Sequence, residues 1–356
     1  MRFFMPTRVY AEKDCVKNHA QEMKLGAHAL IVTGRSSSRS NGSLDDVTAV
    51  LEANNTGYTI FDQVEENPSV ETVMKARDKG IECGADHVIG IGGGSPLDCA
   101  KAAALMIKNP DRDWQFMYEN TKAEHLPVIA VPTTCGTGSE VTAVSVITRH
   151  DLRTKGSIRH RIFPALALID GRYIMSAPWN IIANTAVDAL SHLIESGINN
   201  NADTYSDMCV FAGLREWGRC REYLDRKKPL DEDGALMLMN ASALAGMSIA
   251  QTGTTLPHSL SYPLTYEEHI PHGAAVGVFQ ANYISFADKD RRDAVLSAAG
   301  FGSTDELRDA INSLAPVKAD RALLERSAET VLNIPAKLAL CPFRVDRSVM
   351  YSIIDI

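Results

Sequence analysis

Residues 87–107 read HVIGIGGGSPLDCAKAAALMI: a short apolar run, three consecutive glycines at Gly92, Gly93 and Gly94, then an Ala- and Leu-rich stretch with helical spacing. A strand that is apolar at every position is buried on both faces, and one that passes through a glycine turn into a helix belongs to a parallel sheet with helices packed over it. The rest of the first half obeys the same constraint. β-rich runs recur at residues 29–33, 58–61, 127–131 and 165–170, with helical stretches such as residues 69–83 between them. That alternation predicts an α/β unit built on a parallel sheet. From Ser176 onward the texture changes, and residues 185–196, 205–223, 234–251, 273–287, 291–299 and 304–314 show helical spacing with almost no strand pattern. The second half is therefore expected to be all-helical. A chain of 356 residues at about 150 per domain holds about two domains and leaves room for a cleft between them. The change of texture near residues 171–178 divides it into an α/β domain over 1–174 and a helical domain over 175–356.

Composition narrows the function classes. Apolar residues at 45% and charged residues at 22% exclude collagen-like, coiled-coil and mostly disordered chains. Thirty-six Lys and Arg against 44 Asp and Glu give a net charge of −8, without the basic surplus that a phosphate backbone demands, so nucleic acid is not an expected partner. The seven cysteines are odd in number and form no CxxC pair, which predicts free thiols in a reducing compartment, and the first residues carry no apolar leader. The expected location is the cytoplasm. Residues 234–266 lack formal charge, but Asn240, Ser242, Ser248, Gln251, Thr252, Thr254 and Thr255 interrupt them too often for a membrane span. They read as a buried helix followed by a loop.

The glycine turn carries chemistry. Glycine lets the main chain approach an anion closely, and the free N–H groups and dipole of the helix that follows attract it. Ser95 reads as the helix cap, Pro96 as the first helical residue and Asp98 as the third residue after the cap. Residues 127–148 repeat the logic, an apolar strand running into Thr133, Thr134, Gly136, Thr137, Gly138, Ser139 and Glu140. Either loop alone could be a tight turn without a ligand. Two at the carboxyl ends of parallel strands can face one crevice, where open α/β sheets bind nucleotides. A dinucleotide is the expected ligand, and Lys155 supplies a cation close to its pyrophosphate.

In residues 184–196, NTAVDALSHLIES, Asp188 and His192 lie four residues apart on an otherwise apolar helix and project from one face. A buried carboxylate without a partner is costly, and this spacing permits both residues to ligate one ion. Downstream, residues 255–279 carry His258, His269 and His272, the last just before a Gly-opened apolar helix. Imidazole and carboxylate donors suit Zn(II) or Fe(II), and a catalytic ion keeps one position open for substrate.

GIGGGSPLDCAK (90–101), PTTCGTGSEVT (132–142), DALSHLIE (188–195) and HSLSYPLTYEEHIPHG (258–273), in this order and spacing, resemble the iron-containing (group III) alcohol dehydrogenases over nearly the whole chain. The resemblance implies a dehydroquinate synthase-like architecture: an N-terminal dinucleotide-binding α/β domain, a C-terminal helical domain, and a divalent metal in the cleft. It implies Asp188, His192, His258 and His272 as metal ligands, with Fe2+ expected and Zn2+ the alternative. Gly93, Gly94, Ser95, Asp98, Thr133, Thr134 and Lys155 fall on cofactor positions, and Gly34, Ser36, Asn67, Thr137 and Ser139 complete the expected cofactor set. The implied reaction is reversible hydride transfer between a primary alcohol or aldehyde and NAD(P). The expected partner is that small molecule, and the expected assembly a homo-oligomer, dimer or higher.

Three departures qualify the resemblance. The family's second histidine, four residues after the third ligand and often credited with proton relay, is Tyr262 here, so Tyr262 or His269 is the expected relay. NAD-preferring members often carry an aspartate after the second strand, where this chain has Gly34, Arg35, Ser36, Ser37 and Ser38, which predicts NADP over NAD. Cys135 replaces a common alanine. Two other functions fit the same fold: a dehydroquinate synthase-like lyase that uses NAD transiently, and a non-catalytic nucleotide-binding protein without metal.

Overall fold

The computed structural model describes every residue except Arg2. Strands β1 (Arg8–Ala11), β2 (His28–Gly34), β3 (Gly57–Val64), β4 (His87–Gly92), β5 (Val128–Pro132) and β8 (Leu166–Ile169) form a six-stranded sheet in the order β1-β8-β5-β4-β2-β3. Every neighbouring pair is parallel. The inner strands β4, β5 and β8 are buried at each residue, which is why their sequences are continuously apolar. Helices α1 (Ser43–Ala53), α2 (Val70–Glu82) and α3 (Gly94–Lys108) lie between the strands in sequence. Side chains alternate across the sheet: Leu30, Val32 and Val88 join one core with Ala100 and Ala104 of α3, whereas Ala29, Ile31, Ile89 and Ile91 join the other with Leu44, Val47 and Leu51 of α1. Each fully buried aliphatic side chain contributes about 1.5–3 kcal/mol, so both layers are needed.

An antiparallel hairpin, β6 (Val146–Arg149) with β7 (Thr154–Ser157), interrupts the alternation. Neither it nor edge strand β1 has an apolar run to announce it, since β7 reads TKGS and β1 has exposed ends.

The second half is helical: α4 (Trp179–Gly197), α5 (Thr204–Arg219), α6 (Glu232–Thr252), α7 (Leu256–Glu267), α8 (His272–Gly277), α9 (Gln280–Ser285), α10 (Lys289–Ala298), α11 (Thr304–Leu314), α12 (Arg321–Leu332) and α13 (Arg347–Ile353), with shorter turns between. Helix α4 is its axis, buried at every position from Ala186 to Gly197. Two expectations are corrected. The loop expected after residue 251 is mostly helix α7, because Pro257 sits in the first turn, where its missing N–H costs nothing, and burial of Leu260 and Leu264 offsets the cost of Pro263 further in. The single helix expected over residues 273–287 is two, α8 and α9, separated at Val278 and Phe279. Among the described residues no helix is long and apolar enough to cross a membrane.

Candidate functional site

The α/β half contributes two loops that meet. Strand β4 ends at Gly92 with φ 147°, where an added Cβ would lie 2.5 Å from Pro96 Cγ, so only glycine fits. Helix α3 starts at Gly94 with Gly93 as its cap, which corrects the expected cap at Ser95; the Ser95 hydroxyl instead accepts the Asn67 N–H at 3.0 Å. The first turn of α3 has no side-chain cap and no acidic residue, leaving its N–H groups for an anion. A Cβ at Gly93 would lie 3.0 Å from Thr134 Cγ2, and one at Gly94 2.8 Å from Thr137 Cγ2. The glycine and threonine loops thus face each other with no space for a further methyl group.

Behind the loops, side chains expected to face the cofactor serve as their fastening. Asp98 accepts the Ser139 hydroxyl at 2.6 Å and the Val146 N–H at 2.8 Å. Lys101, fully buried, donates to Ser139 Oγ at 2.7 Å and to the Val144 carbonyl at 2.9 Å. Burial pushes Lys101 down to about 8, against the pull of Asp98 and Glu140, and pushes Glu140 up to about 7. The Thr133 N–H bonds the Gly92 carbonyl at 2.9 Å, extending the β4–β5 pairing into both loops.

The hairpin delivers Lys155. Its buried Nζ donates to Asn67 Oδ1 at 3.1 Å and stands 5.5 Å from the centre of the Tyr262 ring. Asn67 has a left-handed backbone, φ 55°, and its carbonyl accepts the Thr148 hydroxyl at 2.8 Å. Burial lowers Lys155 to about 8, opposed by Asp188 and Glu66. At the far end of β2, Gly34 is half-buried and Arg35 and Ser36 are exposed. The segment that follows, expected to meet the adenosine end of the cofactor, forms a short helix, Ser37–Ser40, whose Arg39 pairs with Asp62 of β3 at 3.0 Å.

The helical half contributes a cluster of donors. Asp188 on α4, His258 on α7 and His272 on α8 bring one ligand atom each to within 4.8 Å of the others. Asp188 Oδ1 lies 3.6 Å from His258 Nε2 and 3.9 Å from His272 Nε2. These separations are too long for hydrogen bonds but close to the edge of about 3.4 Å expected for tetrahedral donors about 2.1 Å from one ion. Asp188 Oδ1 and His258 Nε2 are buried with no hydrogen-bond partner, as is His272 Nδ1. An unsatisfied buried polar atom costs about 1–3 kcal/mol, and a divalent ion at the centre would relieve Asp188 and His258. The donor set and its bare atoms fit a metal.

His192 lies directly beside this set. Its Nδ1 is 3.8 Å from Asp188 Oδ1 and 3.3 Å from the Gly136 carbonyl, and its ring stacks on that of His258 at 4.3 Å. The Gly136 contact ties the threonine loop of the α/β half to the cluster. Burial opposes ionisation of Asp188, but His192, His272 and His258 hold it well below the usual carboxylate range. Burial and the Lys155 charge hold His272 well below the ordinary imidazole value. Burial alone would also lower His258, but Glu195 and Asp188 outweigh it and raise it to about 9.

The two relay candidates differ in place. Tyr262, one turn beyond His258, is half-buried and stacks on His272 with ring centres 6.4 Å apart. Burial raises its phenol to about 12, which keeps it protonated at neutral pH. His269 is exposed between α7 and α8 with φ 55°. Cys135 is buried, its Sγ 3.2 Å from Thr185 Oγ1 of α4, in contact with the helical half.

Glu195 was not singled out from the sequence. It is fully buried and hydrogen-bonded to His258. Its signal was present: Asp188, His192 and Glu195 follow i, i+4, i+7 spacing on one face of an apolar helix.

The chain is similar to known proteins over both of its halves. The family model described as iron-containing alcohol dehydrogenase matches residues 6–171, and that of the Fe-containing alcohol dehydrogenase family, C-terminal, matches residues 182–326. The chain is 29% identical to an NADPH-dependent butanol dehydrogenase of Clostridium saccharobutylicum over 81% of its own length and 74% of the relative's. It is 30% identical to NADH-dependent butanol dehydrogenase B of Clostridium acetobutylicum, over 80% of this chain and 74% of that one. The crystal structure of an iron-containing alcohol dehydrogenase from Thermotoga maritima superposes with a TM-score of 0.90 at 36% identity, covering 99% of this chain and 98% of the other. Matched in both its sheet and the helices that bear Asp188 and His258, the chain belongs to the iron-containing alcohol dehydrogenase family.

Proposed function

We propose that the chain interconverts a primary alcohol and its aldehyde by hydride exchange with a nicotinamide dinucleotide, NADP in preference to NAD, where the paired loops meet α4, α7 and α8. Residues 1–174 form the dinucleotide-binding domain and residues 175–356 the metal-binding domain, in a homo-oligomer. The observation that carries this reading is the Asp188–His258–His272 cluster, with buried, unpartnered ligand atoms on Asp188 and His258, joined to the nucleotide loops through Gly136 and through Lys155 beside Tyr262. These three residues, with His192 as the fourth, would hold Fe2+ or, in its place, Zn2+, which supplies Lewis acidity toward the substrate oxygen. The nicotinamide supplies the hydride acceptor or donor.

The chain's own residues bind and orient. The open N–H groups of α3, bordered by Gly93, Gly94, Thr134 and Thr137, take the pyrophosphate. Asn67, Ser95 and Lys155 border the same crevice, and Asp98, Thr133 and Ser139 keep the loops in register. Alcohol oxidation releases one proton besides the hydride. We assign its transfer to Tyr262 Oη, half-buried beside His272, ahead of the exposed His269. Gly34 offers no carboxylate to an adenosine ribose, and Arg35 has no ion pair among the described residues, whereas Arg39 is held by Asp62; this supports NADP. Relatives of both cofactor types exist, so the test is direct. Initial rates with a panel of primary alcohols and aldehydes, with each cofactor, before and after chelation, should show metal-dependent turnover favouring NADP. Turnover untouched by chelation, or none with any substrate, overturns the reading.

A further inference from the structure

Glu195 shares the face of α4 that carries Asp188 and His192, and its carboxylate is saturated from two other elements. Oε1 accepts His258 Nδ1 at 2.5 Å and Gln280 Nε2 at 3.0 Å. Oε2 accepts the Thr255 N–H at 2.6 Å and the Thr255 hydroxyl at 2.7 Å. Thr255 caps the start of α7, the helix that carries His258, and Gln280 is the first residue of α9. Neither carboxylate oxygen reaches the metal cluster's own donors except through His258.

His258 is thus treated unequally at its two nitrogens. Nδ1 is held at 2.5 Å by a carboxylate, whereas Nε2, equally buried, has no hydrogen-bond partner and faces Asp188 Oδ1, which has none either. An imidazole that binds an ion through one nitrogen keeps its single proton on the other, and an acceptor fixed at Nδ1 decides which nitrogen that is. We propose that Glu195 is a positioning residue that acts through His258: it holds the proton on Nδ1, fixes the ring, and so presents the Nε2 lone pair to a divalent ion shared with Asp188 and His272. The bonds to Thr255 and Gln280 make that orientation depend on the starts of α7 and α9, so the ring is set by the packing of three helices. Asp188 and Glu195 also place two buried carboxylates on either side of His258, a charge that a divalent cation balances. This role rests on the reading that the cluster holds an ion.

The test is metal affinity in the full chain, measured by chelator competition with Zn2+ as the probe, alongside KM for the nicotinamide cofactor. Glu195→Gln keeps the shape but turns an amide NH2 toward donors, either on Thr255 or on His258. Zn2+ binding should weaken by about 10- to 100-fold, with cofactor KM unchanged. Glu195→Asp, which keeps the charge but cannot span both partners, should fall between parent and Gln. If Glu195→Gln does not fold, Thr255→Val removes one donor from Oε2 alone and should weaken Zn2+ several-fold; unchanged affinity there overturns the role. A parent that takes up Zn2+ while Glu195→Gln binds it equally tightly overturns the role and leaves the metal reading standing. A parent that takes up no Zn2+ overturns both.

Discussion

Two buried polar clusters, one in each half of the chain, end differently. In the α/β half, Asp98, Lys101 and Ser139 are bonded to one another or to the neighbouring main chain. In the helical half, Asp188 Oδ1 and His258 Nε2 are as deeply buried yet have no hydrogen-bond partner. Buried polar groups that satisfy each other hold loops in place; buried donors aimed together and left bare await a further atom. In the proposed function, the first cluster sets binding geometry and the second serves the chemistry.

The largest expected effect would break that contrast if it failed. His272→Ala should lose the metal and lower kcat/KM by about a thousandfold or more, the several kcal/mol that a Lewis acid contributes. Metal analysis and steady-state rates measure this, while fluorescence titration of the reduced cofactor should remain near the parent's. A variant that keeps its metal and rate removes the cluster from the mechanism.

On the opposite side the largest effect is on stability. Burial raises Glu140 to about 7 from an ordinary value of 4.5, opposed by Lys101. Between those values the folded chain binds more protons than the unfolded one at this site, so its contribution to stability falls as pH rises from about 4.5 to 7. Glu140→Gln should abolish that slope, worth on the order of 3 kcal/mol across the window. Denaturant midpoints of parent and variant at pH 5 and 7 measure the difference. Equal slopes would mean that Glu140 is charged in the folded chain throughout.

Cofactor choice should respond more modestly. A Cβ at Gly34 meets only the Val64 carbonyl, at an ordinary 3.6 Å, so Gly34→Asp adds a carboxylate without strain. The ratio of kcat/KM for NADP over NAD should fall by roughly ten- to a hundredfold, corresponding to about 1.5–3 kcal/mol for a charge-assisted contact. A parent that favours NAD, or a ratio that does not move, contradicts the NADP assignment.

The smallest effect sharpens the division of labour. Gly94→Ala places a methyl 2.8 Å from Thr137 Cγ2, which should raise KM for the cofactor by about tenfold through overpacking. Zn2+ affinity should not change. If it falls as well, the loops and the metal cluster are mechanically coupled through Gly136 and His192.

Local order was legible wherever a short window contains its own cause. Residues 88–91 and 128–131 declare a buried sheet because both faces of those strands are covered, and Asp188 with His192 declares a shared helix face through the 3.6-residue period. Hairpin β6–β7 was not legible, because TKGS has no apolar pattern and the hairpin is held from other segments, by Asp98 at Val146 and by Asn67 at Lys155. Helix α7 was misread because its two prolines signal a break, and only burial against its neighbours overrides that signal.

By itself the amino-acid sequence determined the parallel sheet, the glycine and threonine loops at its carboxyl end, the helical second half and the residue types available for a metal. Tertiary structure alone decided which of those residues meet. It set His258 and His272 against Asp188, moved the cap of α3 from Ser95 to Gly93, left His192 beside the cluster and engaged Glu195 with a histidine 63 residues away. The physical reason is range: helical and strand periods act over a few residues, whereas the closing of a donor cluster depends on how α4, α7 and α8 pack, and that is settled by the apolar surface they bury together.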